Sequence, residues 1–359
     1  MIIMKYGWNR DEIEEKLREA KLAKTNLSNQ KSIIYSRMLY DLDGNHSIKN
    51  VQIDKDYFFN KVDNFDVTYF DESFFKLLSY MGKYIEDFDM EFDMDSKEKK
   101  GPTEIIKTCK DFYKKNDKDS LVYFKKIIKQ ESRIHFINNN ANNPFIGRSY
   151  ILDSSDYYIL INGRNYLEDM KALIHEGKHV EMAMKGYNNG ISLYQELASI
   201  LYEMYMIDYL ERTDDNKQDV RILRMSNLNK YIQRIKKFVF QIDFIKKLKT
   251  DNDFYENIKV NYELYYNEYN LTDIHRILKN GYSEKELGII VSFIVALDIY
   301  LNSNMNNVNN VLSCYIFGIY KMKPSIVDNI MEYITSMYNP YVIDGQKIKK
   351  KYKNAIDKR

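Results

Sequence analysis

Four prolines and thirteen glycines in 359 residues leave this chain few places at which a helix must break. Long helices are expected, and the apolar spacing agrees. Residues 9–40 carry Ile13, Leu17, Ala20, Leu27, Ile34 and Met38 among alternating charges, the pattern of a solvated amphipathic helix or helix pair. The turn residues Asp41 to Asn45 end it, and with no glutamate at the twelfth position they make no calcium loop. The helical period returns over 71–88, 103–113 and 120–129, and after Asp214 over 221–248, 255–269, 284–300, 308–322 and 325–338. The charged stretch 87–102, closing on Gly101-Pro102, is the best candidate for an internal boundary or exposed loop.

One stretch departs from this character. Asparagine dominates 138–147, which reads as a loop, and two short runs of β-branched and aromatic residues follow, Ser149-Tyr150-Ile151-Leu152 and Tyr157-Tyr158-Ile159-Leu160-Ile161. The polar tetrapeptide Asp153-Ser154-Ser155-Asp156 between them predicts a hairpin. The chain therefore reads as mainly α with a small β-hairpin, and that hairpin directly precedes the helix that carries the chemistry.

Asn165 is a good N-cap residue with Glu168 in the capping-box position, and Gly186 is placed to end the helix, so a helix is predicted over 166–185. Within it stands His175-Glu176-Gly177-Lys178-His179. Two histidines four residues apart are about one turn apart, so both imidazoles point to one side and can hold one metal ion. The glutamate after the first histidine sits roughly 100° further round, where it reaches a water beside the metal rather than the metal itself. A catalytic zinc takes three protein ligands and keeps one position for water. Glu196 is the candidate third ligand, 17 residues after His179, near the start of a helix predicted over 193–212 with Ser192 as its N-cap. Glu203 lies seven residues on, on the same face, where it can accept a hydrogen bond from a liganding imidazole. His46, His135 and His275 stand in no partner pattern and read as structural or surface residues.

Composition excludes other classes. The 54 basic and 52 acidic residues are spread along the chain and sum to +2, which offers nucleic acid no basic field. Cys109 and Cys314 have no neighbouring cysteine, which suggests buried thiols and a reducing compartment. The first ten residues contain no long apolar run and do not read as a signal peptide. The most apolar segment, 287–297, is too short to span a bilayer and reads as a buried helix. A cytoplasmic location with no membrane partner is expected, and the oligomeric state is left open.

At this point the residues resemble a family. Ile146-Gly147-Arg148-Ser149-Tyr150, the run from Tyr157 to Gly163, Tyr166-Leu167-Glu168-Asp169-Met170 and the histidine motif together resemble the core of the oligoendopeptidase F and thimet oligopeptidase family of zinc metallopeptidases. The segment from Tyr194 through Glu196 to Glu203 is similar to that family's second metal helix, in which a glutamate is the third zinc ligand and an acid or amide follows seven positions later. Ser313-Cys314-Tyr315-Ile316-Phe317-Gly318-Ile319-Tyr320 resembles the segment that brings family tyrosines over the scissile carbonyl. The resemblance covers 145–212 well and 308–322 weakly. It implies a helical, gluzincin-type fold in which one Zn2+ ion in a deep groove hydrolyses short peptides. Four departures stand out. Lys178 precedes the second histidine where the family has glycine, and Met182 stands where a further histidine is frequent. No histidine precedes the C-terminal tyrosines, and the chain is shorter than typical members.

These expectations combine into a mechanism. His175, His179 and Glu196 hold zinc, Glu176 acts as general base and passes its proton to the leaving amine, and Tyr315, or else Tyr320, donates to the developing oxyanion. Tyr157, Tyr158 and Tyr320 are candidates to touch a peptide paired with the hairpin edge. In domain terms, 1–137 is a helical N-terminal region forming a reduced lid, 138–345 the catalytic zinc-peptidase region and 346–359 a basic tail. Two other readings stay open: a catalytically weak or inactive homologue that binds peptide, favoured by the departures around Lys178 and the missing C-terminal histidine, and a metal-free helical scaffold.

Overall fold

The computed structural model describes residues 7–23, 25–43, 53–65, 78, 100–137, 145–163, 165–186, 196–280 and 284–302. Helices dominate them, as the scarcity of breakers predicts. The N-terminal pattern resolves into a pair, α1 (Arg10–Ala23) and α2 (Asn26–Asp43), followed by α3 (Lys55–Asp63), α4 (Pro102–Asn116) and α5 (Lys118–Lys129). Three strands come next, β1 (Ile134–Phe136), β2 (Gly147–Ile151) and β3 (Tyr157–Ile161). The motif helix α6 (Tyr166–Met184) and its partner α7 (Leu197–Thr213) follow. The remainder is α8 (Lys217–Thr250), α9 (Asn252–Val260), α10 (Tyr262–Glu268), α11 (Leu271–Asn280) and α12 (Glu284–Asn302).

The sheet explains how the motif helix is held. β2 and β3 form the predicted antiparallel hairpin, with Ser149 opposite Ile159, and β1 joins the far side of β3 in parallel, Ile134 opposite Ile159. The order β1-β3-β2 makes β3 central and, among the described residues, leaves β2 with one unpaired edge. Tyr157, Ile159 and Ile161 face the main core with α6, whereas Tyr158 and Leu160 face a second core built from Trp8, Ile13, Tyr35 and Met38 of the N-terminal helices. Both faces of β3 are thus covered, one by α6 and the other by the α1–α2 pair.

Several expectations change. β1 was not foreseen, and neither was α3, whose N-cap Asp54 accepts from the Tyr57 N–H at 2.9 Å. The predicted helix 255–269 is two helices, broken at Asn261, with Asn270 at φ 48° closing the second. Tyr157 and Tyr158 do not serve a peptide: they are 1% and 3% exposed, because each face of β3 is packed. The Tyr158 hydroxyl instead takes a hydrogen bond from Lys16 at 2.6 Å. The segment 287–297 lies in α12, residues 288–297 are largely buried, and no described helix is long and apolar enough to cross a membrane. Apart from Leu78, which is buried in the main core, the predicted helix 71–88 lies outside the described residues, as do the helices 308–322 and 325–338, the basic tail, His46, Cys314, Tyr315 and Tyr320.

Candidate metal centre

The local sequence sets α6 with sharp ends. The Asn165 side chain accepts from the N–H groups of Leu167 and Glu168, both at 3.0 Å, and Gly186 at φ 80° follows the last turn. Between these ends α6 is buried on most sides and packs against α7, in which every residue from Leu197 to Leu210 is buried. Two buried helices in contact give the site a stiff frame.

Glu196 is the N-cap residue of α7, but its side chain makes no cap hydrogen bond and turns to α6 instead. Its Oε2 lies 3.2 Å from His175 Nε2 and 3.2 Å from His179 Nε2, and the two histidine nitrogens are 3.1 Å apart. Among the described residues this is the one group of three such donors gathered closely enough to hold a metal ion. Zinc bonded at about 2.0–2.1 Å to three corners of a tetrahedron separates them by roughly 3.3 Å, so the observed triangle fits. The side chains of His179 and Glu196 are 20% and 21% exposed, which leaves the cluster open on one side.

Charge makes the same point. His175 Nδ1 lies 2.9 Å from Glu203 Oε1, although the ring is turned off the line of an ideal hydrogen bond. A proton on Nδ1 facing Glu203 leaves the Nε2 lone pair pointing at Glu196 Oε2 and at His179. Three lone-pair atoms that close repel unless a cation lies among them. Burial works against charge on His175, yet Glu203 and Glu196 outweigh it and push its pKa up to about 10. Burial likewise opposes ionisation of Glu196, and His179 and His175 outweigh it, holding the carboxyl well below its usual range. Both shifts favour positive charge within the cluster, which a proton on His175 or a cation held by the three side chains would supply.

A second layer holds Glu203. The Tyr231 hydroxyl of α8 donates to Glu203 Oε2 at 3.0 Å. Burial raises the cost of that carboxylate, while Lys171 and His175 hold its pKa well below normal. Lys171, one turn before His175, is itself buried and donates to Asn227 Oδ1 at 3.0 Å. Sequence reading named Glu203 but missed Lys171 and Tyr231. A lysine one turn before His175 on the same side of the helix was the available signal.

Glu176 sits beside the histidine pair, 7% exposed, beneath the start of β2. Gly147, Ser149 and Ile151 turn toward α6, so this face of β2 and the Glu176 carboxylate adjoin at Gly147. Lys178, by contrast, points away from the ligand triangle and is buried against α4, α5 and α7. It does not obstruct the metal position. His135 accepts a hydrogen bond from the Trp8 N–H at 3.1 Å, and His275 packs on Tyr57, so neither joins the site.

No protein-family model and no curated protein matches this sequence. Among solved structures, the chain is similar to a proposed peptidase from Chlamydophila abortus, with a TM-score of 0.44 and 14% identity over 97% of this chain and 60% of that one. It is also similar to a proposed oligoendopeptidase F from Bacillus anthracis strain Ames, with a TM-score of 0.41 and 11% identity over 97% of this chain and 62% of that one. The chain thus spans about 60% of the length of these proteins. The functional reading rests on this chain's own residues.

Proposed function

We propose that the protein is a zinc-dependent peptidase that cleaves short peptides. The observation that carries this reading is the convergence of His175 Nε2, His179 Nε2 and Glu196 Oε2 within 3.2 Å of one another, with Glu176 alongside. His175, His179 and Glu196 would hold the zinc, and Glu203 orients the His175 ring. When bound, the ion supplies Lewis acidity, lowering the pKa of water and polarising a carbonyl.

The chain's residues do the rest. Glu176 is not needed to bind the ion; its place one flank round the helix suits a general base that takes a proton from water and passes it to the leaving amine. Among the described residues the outer edge of β2 is unpaired, and its backbone groups would bind an extended peptide beside the helix that bears Glu176. Donation to the oxyanion is assigned to Tyr315 or Tyr320 by the sequence resemblance alone. The glutamate also separates this reading from a peptide-binding protein that keeps only a metal, since binding makes no use of Glu176.

The test is hydrolysis of a quenched fluorescent peptide panel by the wild type and by Glu176→Gln, with zinc quantified in each. The variant should retain the metal and lose activity by about a thousandfold or more, the scale expected when general-base catalysis is removed from a metal-assisted hydrolysis. Equal rates would reject the mechanism.

A further inference from the structure

Lys178 stands one residue before a proposed metal ligand, yet its side chain enters a buried cluster on another flank of α6. Its Nζ donates to Ser120 Oγ at 2.7 Å and to Glu181 Oε2 at 2.8 Å, and lies 3.4 Å from the centroid of the Tyr202 ring. The Tyr202 hydroxyl donates to Asp117 Oδ2. Asp117 Oδ1 caps α5 by accepting from the N–H groups of Asp119 and Ser120 at 3.1 and 3.0 Å. Ser120 Oγ donates onward to Glu181 Oε1 at 2.9 Å, and Lys185 reaches the same oxygen at 2.6 Å. Two lysines thus face two carboxylates.

A serine beside a buried lysine is the makeup of a nucleophile and its base, but Ser120 is 0% exposed and no substrate reaches it. The cluster acts through position instead. Tyr202 belongs to α7, between Glu196 and Glu203, while Lys178 and Glu181 belong to the helix that bears both histidines. At about 100° per residue, Lys178 lies roughly 60° from His175 on one flank and Glu176 roughly 100° on the other. A turn of α6 that freed Lys178 would carry both imidazoles away from Glu196. Buried ion pairs add little net stability over well-packed apolar side chains, yet breaking one leaves a costly lone charge, so they resist rearrangement.

The geometry points to Lys178 as a positioning residue for the metal centre: through Glu181, Ser120 and Tyr202 it locks α6 against α7, so that His175 and His179 meet Glu196. This rests on the metal reading proposed above, and it assigns a role to the residue that departs most from the family pattern.

The experiment measures zinc affinity by chelator competition, and the visible spectrum of cobalt-loaded protein, for the wild type, Lys178→Met/Glu181→Leu and Tyr202→Phe. Thermal unfolding of the metal-free proteins reports folding. The double variant replaces the ion pair with apolar side chains, and Tyr202→Phe keeps the ring while losing the bond to Asp117; both should unfold cooperatively. The double variant should bind zinc at least about tenfold more weakly, with displaced cobalt bands, and Tyr202→Phe should move the same way by less. If every folded variant keeps zinc affinity within about twofold of the wild type and an unchanged cobalt spectrum, the positioning role is overturned while the metal site stands. A wild type that binds neither ion overturns both.

Discussion

A Cβ placed on Gly147 would sit 3.0 Å from Glu176 Cγ and 3.1 Å from Glu176 Oε1. The first residue of β2 and the proposed general base are therefore in backbone-to-side-chain contact, and only glycine leaves the carboxylate where it is. Gly147→Ala should displace Glu176 by a few tenths of an ångström and lower kcat by about tenfold, with KM little changed. Zinc content and melting temperature should stay at wild-type values, because Gly147 touches no ligand. Steady-state kinetics alongside metal analysis separates this from a folding defect; an unaltered kcat would show that the contact does not matter.

Glu203→Gln tests the support behind His175. The amide keeps an acceptor for Tyr231 but removes the charge facing Nδ1 and Lys171. Zinc affinity should fall by about ten- to a hundredfold, read by competition with a chromophoric chelator. Affinity equal to the wild type would remove Glu203 from the centre.

Asp169 gives a pH signature independent of the metal. Burial pushes its carboxyl up to about 6, against the hydrogen bond from the Gly163 N–H at 2.8 Å. A carboxyl whose pKa is higher folded than unfolded favours the folded state at low pH, and that contribution fades as pH rises from about 4 through about 6. Asp169→Asn cannot ionise. Relative to the wild type, it should therefore gain stability between pH 4 and pH 7, by up to about 3 kcal/mol. Urea unfolding of the metal-free proteins at both pH values checks this, and a pH-independent difference would contradict it.

The N-terminal helices are pinned to the outer sheet face through Asp41, which is fully buried and accepts from Arg148, Tyr150 and Arg37. Asp41→Ala leaves the buried Tyr150 hydroxyl without its acceptor and releases the partly exposed Arg148, and should cost roughly 1–3 kcal/mol. The sole tryptophan, Trp8, is buried in that same interface, so its emission should shift to the red if α1 and α2 loosen. An unshifted spectrum with unchanged stability would show that the cluster does not fasten them.

Much of the site was legible because its signals are local. The histidine spacing, the Asn165 cap, the Gly186 stop and the spacing of Glu196 and Glu203 all depend on residues within about two turns of one another, and the hairpin is written into its own turn. Contacts distant in sequence were not legible. β1 is three residues long and pairs in parallel with a strand more than twenty residues away, so no alternation announces it. Tyr157 and Tyr158 read as substrate contacts because their cover is distant in sequence: the main core packs on Tyr157 and the α1–α2 pair on Tyr158. Lys178 read only as a departure favouring a catalytically weak homologue, because its partners Ser120 and Tyr202 lie on other helices.

The central claim is a three-ligand zinc centre, and metal stoichiometry tests it most directly. Protein stripped with chelator, given an excess of zinc and dialysed, should retain one ion per chain. His179→Ala treated identically should retain essentially none. A wild type that holds no zinc, or a variant that holds as much as the wild type, would contradict the account.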